Sequence, residues 1–171
     1  GPARFYGTPG VAGRPLVIVE AAPMETVEDL TDRQAATLLQ PYPLDESDTT
    51  QASEQVQSAA MLLSRLFLDE DGPVFALVQA GRWLFVTDRG RWPEGRYLGI
   101  DLQAVAARND ARRGGEIDKA LTCVEAASLA PDADGDIWWS TVLADSVKHT
   151  VGVSKDLREG VRRSIEVIAN D

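Results

Sequence analysis

One cysteine and one histidine are all that 171 residues provide for thiol and imidazole chemistry. Cys123 alone excludes an internal disulfide and a multi-cysteine zinc site, so metal or triad chemistry would have to be built around His149. No apolar run approaches the roughly 20 residues that a membrane helix needs. No basic-then-apolar leader opens the chain, and the expectation is a soluble, cytoplasmic protein. A glycine-rich phosphate loop is missing. So are an Asn/Asp-Pro-Pro-aromatic motif and a glycine-rich turn after a strand, the usual seat of S-adenosylmethionine. Chemistry of those kinds must lie outside this chain.

What is present is the balance of a globular domain, 44% hydrophobic and 26% charged, read as one domain over 1–171. The net charge of −10 is uneven. Residues 20–71 carry twelve acids against Arg33 and Arg65, whereas residues 72–171 carry thirteen basic and fifteen acidic side chains. Such a surface repels a phosphate backbone over most of its area but leaves room for a local basic patch.

Gly1-Pro2 is set aside as the remnant of a cleaved tag. Arg14–Glu20 reads as a short, continuously apolar strand of the fully buried kind, ended by Pro23. Residues 40–53, rich in Pro, Asp, Ser and Thr, read as a linker. The spacing of Val56, Ala59, Ala60, Leu63, Leu66 and Phe67 predicts a helix capped by Ser53 and stopped at Asp69–Pro73. Val74–Val78 and Trp83–Thr87 form a hairpin about Ala80-Gly81-Arg82, and Tyr97–Leu102 is a third strand. Helices are expected at about 116–129, 137–149 and 155–169. The last has Ser154 as N-cap and a stripe of Leu157, Val161, Ile165 and Ile168. The fold class is therefore α+β (mixed α/β): a small central sheet within about 14–105 flanked by helices, then a helical part over about 114–170. No internal repeat is present.

Glu20 ends the apolar strand where a metal-dependent nuclease of the PD-(D/E)xK type carries a carboxylate, with a lysine two residues later to orient the attacking water. Position 22 is alanine, so the alternative is a strand-terminal glutamate at the sheet edge. Cys123 and His149 could pair for nucleophilic catalysis; the plainer reading makes Cys123 a small buried hydrophobe. Arg89, Arg91 and Arg96 with Trp92 form a cationic, aromatic loop of the kind that clasps phosphate and stacks a base. In the alternative, Trp92 packs over the sheet and the arginines pair with Asp88 and Glu94. Arg108, Arg112 and Arg113 beside the Gly114-Gly115 helix start make a second anion site. Trp138-Trp139 reads as a packing anchor.

Two stretches resemble a known family. They are Arg82-Trp83-Leu84-Phe85-Val86-Thr87-Asp88-Arg89-Gly90-Arg91-Trp92-Pro93-Glu94-Gly95-Arg96-Tyr97-Leu98-Gly99-Ile100-Asp101-Leu102 and the segment Asp145–Arg162. Both resemble the N-terminal region of large bacterial DNA methyltransferases of type II restriction-modification and related phage-defence systems. The resemblance covers residues 70–170 best, and before them only Leu16–Glu20. It implies an N-terminal domain, excised from a longer chain, that precedes an adenine-specific methyltransferase domain. It also implies a nuclease-like fold, degenerate here because Ala22 stands where lysine would. S-adenosylmethionine belongs to the parent protein and not to this part. The implied partners are the downstream methyltransferase domain and duplex DNA, the latter through Arg89, Arg91, Trp92, Arg96, Arg112 and Arg113; no membrane is implied. The competing expectation is an acidic protein–protein interaction domain without a DNA role.

Overall fold

The computed structural model describes residues 1–7, 15–43, 55–130, 132 and 136–142. The chain divides into two compact units, Gly1–Ala130 and Pro131–Asp171. In the first, β1 (Ala3–Tyr6) pairs antiparallel with β2 (Leu16–Ala21). A two-stranded ribbon follows, β3 (Tyr42–Pro43) with β4 (Gln55–Val56), and then helix α1 (Ala59–Leu66). Next come β5 (Phe75–Ala80), β6 (Trp83–Asp88) and β7 (Leu98–Asp101). Three helices close the unit: α2 (Leu102–Arg108), α3 (Glu116–Val124) and α4 (Ala126–Leu129). The five-stranded sheet has the order β1-β2-β5-β6-β7, with β2 and β5 parallel and every other pair antiparallel. The fold is α+β.

Alternation along the central strands sets the core. Val17, Val19 and Ala21 of β2 lie beside Ala76, Val78 and Ala80 of β5, all buried on one face with Phe85. Helix α1 covers that face with Leu62 and Leu63, and its small Ala59 lies fully buried there as well. β2 is therefore not buried throughout as a continuous apolar run suggests: Leu16 and Ile18, on its other face, stay half-buried. The β5–β6 hairpin turns on Gly81-Arg82. Gly81 has φ of +60°, while Arg82 keeps the negative φ of an ordinary residue, the pattern of a type II′ turn.

Three expectations are corrected. The first helix starts at Ala59, because Val56 and Gln55 are drawn into pairing with Tyr42 and Pro43, inside the segment read as linker. Its N-cap is Ser58, whose hydroxyl accepts from the Met61 N–H and donates to the Asp32 carbonyl; Ser53 lies outside the described residues. The helix read at 116–129 is two helices, since Glu125 takes an extended backbone (ψ 155°) that breaks the ladder. With the break, Ser128 and Leu129 become buried, whereas no α3 side chain is.

Besides the β3–β4 ribbon, β1 and α2 were not read from sequence. Pro2, set aside above, is buried, and its carbonyl accepts the Glu20 N–H. Helix α2 is capped by the last residue of β7: the Asp101 carboxylate accepts from the Gln103 and Ala104 N–H groups. In the second unit, residues 138–142 are helical, and the Trp138 and Trp139 rings meet edge to face at 5.3 Å. His149, Ser154, the stripe Leu157–Ile168 and the Asp145–Arg162 segment lie outside the described residues. Among those described, no helix is long and apolar enough to cross a membrane.

Candidate nucleic-acid interface

The β6–β7 connection holds four of the candidate residues, and a chain of short-range interactions fixes it. Asp88, nearly buried at the end of β6, accepts the Gly90 and Arg91 N–H groups on Oδ1 and the Arg91 guanidinium on Oδ2 at 3.2 Å. Trp92 turns inward: its Nε1–H donates to Ser64 Oγ of α1 at 2.9 Å, and its ring meets Phe85 edge to face at 6.1 Å. Phe85 in turn stacks on Tyr97 at 4.6 Å. The Ser64 hydroxyl also accepts from Arg33 and donates to the Ala60 carbonyl, so its full bonding capacity is used.

Arg89 reaches away from the loop to the turn between α1 and β5. Its guanidinium donates to the carbonyls of Glu70, Gly72 and Pro73, which fastens the turn that the acidic run Asp69–Asp71 opens. The Nε atoms of Arg89 and Arg91 are buried and have no hydrogen-bond partner among the described residues. Two of the three loop arginines thus have their charge directed into the protein. Arg96 differs: its side chain is exposed and meets the equally exposed Glu94 at 3.3 Å.

Arg112 and Arg113 stand on the separate α2–α3 connection. Arg112 forks onto Asp110 through Nε and Nη2 at 2.8 and 3.1 Å, and this hydrogen bond holds the Asp110 carboxyl below the usual carboxylate range. Arg108 pairs with Glu116. Arg113 is exposed and forms no ion pair among the described residues. Gly115 opens α3 as expected, and the Gly114 N–H is already taken by the Asp118 carboxylate.

Glu20 sits at the penultimate position of β2, half-exposed, with Arg4 of β1 at 3.3 Å. Two residues on, the Ala22 N–H donates to the Thr37 carbonyl, and the chain leaves the sheet. No group of three or more His, Cys, Asp or Glu that could hold a metal ion occurs among the described residues. Cys123 is half-buried on α3, where burial pushes its thiol pKa up, away from the thiolate a nucleophile needs. Comparisons of the chain with family models, curated proteins and solved structures found no match.

Sequence reasoning missed Ser64 and Asp101. Ser64 carries no motif; only the packing of α1 against the loop brings it to Trp92. Asp101 did carry a signal, an acid directly before a helix-forming run, but the strand reading of 97–102 absorbed it.

Proposed function

We propose that the chain is the N-terminal, non-catalytic part of a type II DNA-modification enzyme, an adenine methyltransferase of the restriction-modification or phage-defence kind. In this reading it is a nuclease-like fold that has lost its metal site and serves contacts to DNA and to a downstream methyltransferase domain. The observation that supports it is the construction of 82–102. Its distinctive residues depend on one another: Asp88 on Arg91, Trp92 on Phe85, Phe85 on Tyr97, Arg89 on the turn behind it. These contacts make 82–102, the stretch that carries the resemblance, one interlocked unit of the fold. S-adenosylmethionine would be held by the downstream domain, and no step of methyl transfer is derived from these residues. Titration calorimetry of the 171-residue chain should therefore find no micromolar site for it, a site of roughly −8 kcal/mol.

The arginines open to solvent, Arg96, Arg112 and Arg113, are the ones that could meet phosphate. Anisotropy of a labelled duplex against salt, for wild type, Arg96→Ala and Arg113→Ala, tests this. Each lost phosphate contact should make the slope of log affinity against log salt shallower by about one. The net charge of −10 supports a second reading, an acidic interaction domain without a DNA role. Slopes unchanged from wild type in both variants would favour it.

A further inference from the structure

The turn that Arg89 fastens contains a reactive pair. The Gly72 N–H donates to the Asp69 carbonyl at 3.0 Å, closing a β-turn whose central residues are Glu70 and Asp71. Asp71 keeps a negative φ, so the turn is of type I, in which ψ at the third position is about 0°. Asp69 Oδ1 tightens it by accepting the Asp71 N–H at 3.1 Å. Packing dictates the glycine: a Cβ at position 72 would collide with the Leu66 carbonyl oxygen. The fold thus places behind the exposed Asp71 the one residue whose amide nitrogen no Cβ shields.

We propose that Asp71–Gly72 is a site of covalent self-modification, isomerisation to isoaspartate, that the Arg89 clamp holds shut. In the reaction the Gly72 nitrogen attacks the side-chain carboxyl carbon of Asp71. A C–N bond forms, and the amide hydrogen leaves with the carboxyl hydroxyl as water. Water then adds to the five-membered imide and opens it at the main-chain carbonyl, so the mass is unchanged. The chain now runs through the Asp71 side chain, one carbon longer, and the α-carboxylate is free. Ring closure requires the Gly72 nitrogen to swing about the Asp71 Cα–C bond until it eclipses Cβ. In the closed turn that nitrogen is rotated away from Cβ, and its N–H is engaged. Arg89 resists the swing from the other side, because its guanidinium holds the Gly72 and Pro73 carbonyls of the segment that would move. Release is therefore a local opening of one turn. Conversion runs one way, since the lengthened chain cannot return its carbonyls to Arg89.

The inference does not depend on the DNA reading. Its test is native incubation of the 171-residue chain and its variants, then trypsin and fragmentation of the Leu66–Arg82 peptide to count isoaspartate at position 71. The synthetic 66–82 peptide, which has no clamp, should convert at least tenfold faster than the native chain. Arg89→Ala should accelerate conversion at least fivefold, and Arg89→Lys should do so where the alanine variant does not fold. Thr37→Val removes a bond at the opposite end of α1 and should leave the rate unchanged, which separates local release from global unfolding. Asp71→Glu should abolish conversion, because a six-membered imide closes far more slowly. A peptide no faster than the native chain, folded Arg89 variants that convert at the wild-type rate, or equal acceleration by Thr37→Val would each overturn the proposal.

Discussion

Arg89 illustrates how a residue type chosen for one chemistry serves another. A guanidinium offers five donors in a fixed fork, and three carbonyls of the α1–β5 turn accept from its two terminal nitrogens. Arg89→Ala should lower stability by about 2 kcal/mol in urea unfolding, since bonds to a charged donor are lost and two part-buried carbonyls are left open. Arg89→Lys should recover little of it, because an ammonium cannot span the three oxygens. Gly99 is constrained from a different direction: a Cβ there would stand 2.9 Å from Val27 Cγ2, inside van der Waals contact. Gly99→Ala should cost about 1 kcal/mol, as overpacking does, and most of that should vanish in a Val27→Ala background. Equal costs in both backgrounds would show that the clash lies elsewhere.

At the level of elements, the strands with strong apolar character were legible: Leu16–Ala21, the hairpin about Gly81, and Leu98–Asp101 all lie within a residue or two of where the pattern puts them. Helix starts were less legible, because a cap can be supplied from far along the chain. The Ala59 N–H, at the opening of α1, donates to Thr37 Oγ1, 22 residues away and fully buried. Nothing near Ala59 in sequence announces that partner. Thr37→Val keeps the shape and removes the acceptor, and should cost about 1–3 kcal/mol, read as a lowered thermal midpoint. The same change at the half-buried Thr122, whose hydroxyl bonds back to the Asp118 carbonyl within α3, should be nearly silent.

For the molecule as a whole, two groups contribute a pH dependence to stability. Asp110 has its pKa lowered by the Arg112 hydrogen bond, so the stability it contributes is present above the ordinary carboxylate range and is lost as pH falls through the folded value. Tyr97 has its pKa raised, first by desolvation and then by the neighbouring Glu28 carboxylate. Its contribution is complete below the ordinary tyrosine range and is lost as pH rises through the folded value. Unfolding followed against pH for wild type and each variant should show the two contributions as differences at the acidic and alkaline ends. Tyr97→Phe should remove the alkaline edge, and Arg112→Ala should return the Asp110 carboxyl carbon shift to an ordinary titration in NMR.

Composition and periodicity by themselves determined the fold class, the sheet strands with alternating or apolar runs, and the exclusion of disulfide and multi-cysteine chemistry. Those features depend on nearest neighbours and on how many residues of each type exist. Only the tertiary structure decided the orientation of the arginines. Arg89 and Arg96 lie in the same loop and look alike in sequence, yet one clamps the carbonyls of a neighbouring turn and the other faces water. What separates them is the position of the α1–β5 turn, brought beside the loop by the β5–β6 pairing.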